Sequence, residues 1–162
     1  MLYLVVENKN MKKIELRGFR GKGKYVIFDD EDFDCIQDKK WHLGTRGYAQ
    51  SDGTSMHRYI MKCPKGLMID HINSEKLDNR RENLRICDNS QNLMNQNRKT
   101  FTKSSIFKGV HWKKDIKKWQ AKITKQKKTY HLGYFTNQEN AAKSYDGAAK
   151  TLFGEFARLN FN

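Results

Sequence analysis

Asp70 and His71 stand side by side, Asn83 follows 12 residues after the histidine, and Asn92 follows 21 residues after it. Those side chains suit phosphodiester cleavage, which needs an activated water, an electrophilic phosphorus and a stabilised leaving oxygen. A neutral imidazole can take the water's proton near neutral pH, which makes His71 the natural general base. Magnesium is a hard ion that prefers oxygen ligands, keeps several waters and is often held by one or two protein groups plus phosphate. Asp70 offers a charged oxygen and Asn92 a neutral carbonyl oxygen, a sparse set that leaves positions open for phosphate and the departing oxygen. Asn95, three residues on and on the same helix face, is the competing ligand. Adjacent strand residues point to opposite sides, so Asp70 and His71 need a bend at the strand end to reach one site.

The residues around these four read Ile69-Asp70-His71-Ile72-Asn73, then Leu77-Asp78-Asn79-Arg80-Arg81-Glu82-Asn83-Leu84-Arg85, then Gln91-Asn92. The pattern resembles the catalytic motif of HNH endonucleases, in the subgroup found among homing endonucleases. The resemblance implies a ββα-metal (His-Me finger) module in which two antiparallel strands and a helix enclose one metal ion, Mg2+ with Mn2+ as an alternative. It implies that the Asn83 amide holds the loop bearing His71, and that Asn92 faces Asp70 across the metal. Gly66-Leu67-Met68-Ile69 reads as the first strand and Leu84-Arg85-Ile86-Cys87 as the second, with a turn-rich stretch from Asn73 to Glu82 between them. Asp88-Asn89-Ser90 supplies N-cap candidates for a helix through Gln91–Asn97. Arg80, Arg81 and Arg85 are candidate phosphate grips, with ordinary surface arginines as the alternative. His57 reads as a packing or phosphate-facing residue rather than a second base.

Charge points to the same substrate. The 162 residues carry 32 Lys+Arg against 18 Asp+Glu, a net charge of +14. Residues 98–162 hold +11 of it, and within 98–128 Asp115 is the single acid among 12 basic residues. That is the electrostatic footprint of a polyanion binder. Trp112, Trp119, Ile123, Tyr130, Phe135 and Tyr145 are interleaved with the lysines, so the segment folds rather than trailing as a solvated tail.

Its elements are legible. Phe107–Lys113, Trp119–Lys125 and Thr129–Leu132 read as three short strands, with Trp119, Ala121 and Ile123 on one face and Gln120, Lys122 and Thr124 on the other. Alternation also puts Trp112 inward beside Val110 and His111 outward. Thr136-Asn137-Gln138-Glu139 has the capping-box pattern, and Ala141, Ala142, Tyr145, Ala148, Ala149, Leu152 and Phe153 follow at helical spacing. That stripe must cover the Trp119 face and leave the basic face open, a shape able to enter a major groove. Ser104 to Phe161 resembles the plant-type ethylene-response-factor or apetala DNA-binding domain, through Lys108-Gly109-Val110, Lys118-Trp119-Gln120-Ala121-Lys122-Ile123, Leu132-Gly133-Tyr134-Phe135, Tyr145-Asp146-Gly147-Ala148-Ala149 and Ala157-Arg158-Leu159-Asn160-Phe161. The family reads GC-rich DNA with arginines and tryptophans. Here Lys108, His111, Lys113, Lys122, Thr124, Thr129 and His131 are the DNA-binding candidates, so a different target follows.

The fold class expected is α+β: the ββα-metal module plus a C-terminal three-stranded antiparallel sheet packed on one helix. The expected divisions are 1–65 as scaffold of the nuclease unit, 66–97 as the catalytic motif, 98–103 as linker and 104–162 as the DNA-binding domain. In the scaffold, Tyr25–Phe28 and Trp41–Leu43 look like strand pieces. Asp29–Gln37 could form a short helix whose acidic start is solvated, with Phe33 and Ile36 inward. Arg17, Arg20, Lys22 and Lys24 are a second DNA-facing candidate. Cys35, Cys63 and Cys87 are too scattered for a disulfide framework or a zinc site, so no zinc is expected. No run approaches a membrane span, and Leu2–Val6 is too short for a signal peptide and lacks a basic leader.

These readings converge on a metal-dependent endonuclease acting on double-stranded DNA, without a small-molecule cofactor or membrane partner. A monomer in the cytoplasm of a bacterial host, encoded by a phage or prophage, is the simplest setting. The alternative is a sequence-specific DNA-binding transcriptional regulator with a vestigial nuclease module.

Overall fold

The computed structural model describes residues 4–8, 10–95 and 104–161. The expected linker and the last two residues of the expected motif helix lie outside them. The chain forms two compact units, Met1–Asn89 and Ser90–Asn162, and the described residues are mixed α/β with small antiparallel sheets.

In the first unit, β1 (Leu4–Asn8), β2 (Met11–Glu15) and β3 (Tyr25–Asp29) form a meander. Alternation along β3 buries Val26 and Phe28. A 3-10 turn at Asp30–Asp32 leads into α1 (Phe33–Ile36), then β4 (His42–Leu43), β5 (Ala49–Ser51), β6 (Thr54–Ser55) and α2 (Met56–Met61). Ile14, Val26, Phe28, Ile36, Trp41, Met56 and Ile60 make a continuous core that also takes in Ile69 and Leu84. Those last two belong to the hairpin of β7 (Met68–His71) and β8 (Leu84–Cys87), so scaffold and motif share one apolar interior. The chain between β7 and β8 is also stitched to β3. Ile27 donates its N–H to Leu77 O (2.9 Å), and Asn79 donates to Ile27 O (2.8 Å).

Two expectations change here. The first motif strand starts at Met68 and continues through His71, and Ile72 N–H still bonds Asn83 O. The bend comes later, at Ser74 with its positive φ. The acidic start of the Asp29–Gln37 segment is not wholly solvated. Asp32 is 3% exposed because the Arg81 guanidinium grips both of its carboxylate oxygens, at 3.0 and 2.6 Å.

The helix α3 (Asn89–Asn95) crosses the division of the units. The second unit continues with β9 (Val110–Lys113), β10 (Lys118–Lys125), β11 (Lys128–Phe135) and α4 (Gln138–Phe153), the strands lying in the order β11-β10-β9. Ala121 and Ile123 of β10 are buried with Ala141, Ala142, Tyr145, Ala149 and Phe153 of α4. Small alanines let the helix sit close to the sheet. Gly109 must be glycine, since a Cβ there would lie 2.0 Å from the Tyr145 ring and φ is +78°. The cap of α4 is Asn137, whose Oδ1 accepts from the backbone of Glu139 and Asn140, rather than Thr136 of the capping-box pattern. Trp112 shares the Val110 face but stays 36% exposed, edge-on to Trp119. Asp146, buried in α4, accepts from the backbone of Asn160 and Phe161 and so ties the last residues to the domain.

Candidate active site

Strand alternation places His71 on the Ile69 side of β7 and Asp70 on the other, directly opposite Arg85 of β8. Both the metal-ligand candidate Asp70 and the general-base candidate His71 are buried. Asp70 Oδ2 accepts from Arg85 Nε (2.9 Å) and Nη2 (2.6 Å) in a pair screened from water at both ends. The His71 imidazole lies among Tyr48, His57 and Asn79. Its centroid is 5.7 Å from that of Tyr48 and 5.2 Å from that of His57, which meets it edge-on. His71 Nε2 is 3.1 Å from Asn79 Oδ1.

Burial sets the electrostatics of this pocket. It holds the His71 pKa below the ordinary imidazole value, partly offset by the Asn79 hydrogen bond and the charges of Asp70 and Asp78. His57 is pushed down to about 3, by burial first and then by the positive forms of His71 and Arg58. Burial and the Asp70 charge raise the Tyr48 phenol. The cluster is therefore neutral at physiological pH, with an imidazole able to accept a proton.

The loop between the strands is held from inside. Asn83 Oδ1 accepts from Asn73 N–H (2.9 Å) and its Nδ2 donates to Asp78 O (2.8 Å), so one amide at the loop's end ties down its start and its middle. Asp78, buried, accepts from Arg80 Nε and Nη2 and from Asn73 Nδ2. Arg80 also reaches Glu82, and Arg81 reaches Glu31 as well as Asp32. All three arginines singled out as phosphate grips thus spend donors on carboxylates of their own unit. Asn92 stands on α3, within the second unit, and Asn95 of the same helix is buried.

On the second unit's outer sheet face, Lys122 lies opposite His131 and Thr124 opposite Thr129. The two threonine hydroxyls are 2.9 Å apart. His111 lies opposite Gln120 on the neighbouring strand, with Lys113 two residues on. Burial and the Lys122 charge hold the His111 pKa below its ordinary value. Lys108 is placed differently, with its ammonium donating to Met94 O at 2.7 Å.

Tyr48 carries no signal in the sequence, and His57, read there as a packing or phosphate-facing residue, comes to His71 only through the scaffold fold. Asn79 lies inside the motif, but its bearing on His71 depends on how the loop closes.

The sequence matches the HNH endonuclease family over residues 62–94, which takes in β7, the loop, β8 and most of α3. It is 33% identical over 150 residues to an uncharacterised HNH endonuclease of Acanthamoeba polyphaga mimivirus, covering 87% of this chain and 77% of the relative. The chain belongs to the HNH endonuclease family. Protein 3.8 of Escherichia phage T7 is 30% identical over 96 residues, 59% of this HNH chain and 78% of the phage protein. An ethylene-responsive transcription factor-like protein of Arabidopsis thaliana is 50% identical over 44 residues, 27% of this chain and 19% of the plant protein. No solved structure matches significantly. Among the described residues no helix is long and apolar enough to cross a membrane.

Proposed function

We propose that the protein is a magnesium-dependent endonuclease that hydrolyses phosphodiester bonds in double-stranded DNA, with His71 as general base. The observation that carries this reading is the buried His71, kept neutral by its surroundings and hydrogen-bonded to Asn79, within the family motif. With Asn79 Oδ1 accepting from Nε2–H, the lone pair rests on Nδ1, and that nitrogen takes the proton of the attacking water. Asn83 keeps the loop closed so that the imidazole does not drift. Asp70 fits a divalent cation, because its buried carboxylate already holds a cationic guanidinium on one oxygen. Asp70 would hold the ion, with Asn92 as the second oxygen ligand that the family resemblance implies, and the ion would supply charge stabilisation at the phosphate and leaving oxygen. Arg85, the partner of Asp70, is the cation placed to meet the anionic substrate beside it.

Targeting belongs, in this proposal, to the C-terminal domain of ethylene-response-factor type. Lys122, Thr124, Thr129 and His131, with His111 and Lys113 on the adjoining strand, form the face that enters the major groove. A mobile, homing role in a phage or prophage setting fits the viral relatives. Supercoiled plasmid incubated with and without Mg2+ tests the reading. Nicked or linear product with the metal alone is expected, and intact plasmid at saturating protein and metal refutes it.

A further inference from the structure

Between β2 and β3 the chain runs Arg17-Gly18-Phe19-Arg20-Gly21-Lys22-Gly23-Lys24, four cations and no acid in eight residues. At its apex Phe19 is 97% exposed. A single exposed apolar residue is ordinary on a protein surface, and a floppy loop would let the ring fold back. This loop is closed. Leu16 N–H bonds Lys24 O and Arg17 N–H bonds Trp41 O at its base. Gly21 and Lys22 N–H both bond Gly18 O, Lys24 N–H bonds Gly21 O, and Gly23 N–H bonds Glu15 Oε1. Gly18 and Gly23 adopt positive φ, which the tight path requires. The backbone therefore holds the phenyl ring out in water. Among the described residues none of the four cationic side chains makes an ion pair.

We propose that this loop is a second DNA contact, in which Phe19 wedges between base pairs from the minor groove while Arg17, Arg20, Lys22 and Lys24 hold the flanking phosphates. Charge selects the partner: a ring amid four uncompensated cations suits a polyanion with stacked aromatic faces. Shape agrees, because three glycines keep the loop slim beside the ring, as a narrow groove demands. The wedge belongs to the same unit as His71, so it would unstack or kink the duplex the nuclease unit engages. That supplies a local distortion distinct from sequence reading by the C-terminal sheet. The proposal rests on the DNA endonuclease reading.

The test uses the full chain, with EDTA present to prevent cleavage, on closed circular plasmid relaxed by a topoisomerase that needs no metal. An inserted ring unwinds DNA, so the wild-type protein should leave plasmid with a lowered linking number after its removal. Phe19→Ala should abolish that change and weaken binding to a short fluorescent duplex by roughly 5- to 50-fold, while Phe19→Trp preserves both. Because the ring is almost wholly exposed, the alanine variant should fold normally. Equal linking number and affinity for wild type and Phe19→Ala would overturn the wedge, as would affinity loss with no linking change in the wild type. Self-association lost on Phe19→Ala would overturn it too, making the loop a contact between copies. If the wild type neither binds duplex nor nicks plasmid with Mg2+, the endonuclease reading itself has failed. Normal nicking with an inert Phe19 defeats the wedge alone.

Discussion

Residues 10–89 bury Asp32, His57, Asp70, His71, Asp78, Asn79 and Asn83 in or beside their core, whereas residues 104–161 bury Asp146 and otherwise fill their interior with alanine, valine, isoleucine and aromatic rings. The second unit turns its ionic groups outward along a sheet. The contrast matches the two kinds of work proposed for the units. Moving a proton needs a group whose charge state is set by its surroundings, and burial provides that. Gripping a polyanion needs charges that stay hydrated until the partner arrives. A polar interior costs stability unless each buried group has a partner, and the Asp32–Arg81, Asp78–Arg80 and Asp70–Arg85 pairs supply three of them.

The hardest test of this contrast removes the buried group proposed to do the chemistry. His71→Ala should lower the plasmid-cleavage rate by about 10²- to 10⁴-fold, with duplex affinity nearly unchanged in an anisotropy titration. Near-wild-type cleavage would end the assignment of His71.

Removing a structural partner should instead cost stability. Arg81→Ala leaves Asp32 buried without its fork, so urea denaturation should register a loss of about 2–3 kcal/mol. Adding Asp32→Asn in the same chain should recover part of it. Unchanged stability together with weakened DNA binding would return Arg81 to the phosphate-gripping role.

On the outer face of the second unit the expected effects divide by the kind of contact. Lys122→Ala should cost about 1–3 kcal/mol at the preferred site and relax its base preference. Lys127→Ala, in the turn closing β10 and β11, should weaken all sequences alike and lower the salt slope by about one unit. Binding-site selection with both variants separates the two, and an unchanged motif for Lys122→Ala would show that this face does not read bases.

The smallest effect is a slope. His57 is neutral in the fold down to about pH 3, while in the unfolded chain it binds a proton below the ordinary imidazole value of 6.5. The unfolded state therefore takes up the extra proton as pH falls through that window. Stability drops by about 1.4 kcal/mol per pH unit from this group. His57→Gln should flatten the pH dependence of unfolding by that amount, and an unaltered slope would mean that His57 is hydrated in solution.

Much of this arrangement is legible along the chain, and the remainder is missing for identifiable reasons. β8 appears at Leu84–Cys87 as the apolar pattern requires, and the α4 stripe buries the residues that helical spacing selects. Local chemistry sets both. The Asp32–Arg81 pair spans 49 residues, and no local pattern announces a partner so distant. The Asp70–Arg85 pair lay closer to reach, since a hairpin register for two short strands would have set them opposite each other. Trp112 shows a different gap: alternation gives its side of the sheet correctly, but not that the Trp112–Trp119 end of that side stays partly open to water. Thr136 and Asn137 are both competent caps. The helix starts one residue later than the capping box implies, at Gln138, and this selects the asparagine.

In β11, Gly133 faces Ala121 and His131 faces Lys122, with Leu132 left over between them. That supernumerary residue sends its side chain to both core clusters of the domain. In an unbroken ladder Leu132 would have faced Lys122, and His131 would have turned toward the helix beside Ile123. The bulge works as a parity switch, letting neighbouring residues serve the interior and the outer face of the sheet. Any alignment of this strand that counts positions without a gap will therefore exchange surface for core, comparing His131 with a core residue and Leu132 with an outer-face one.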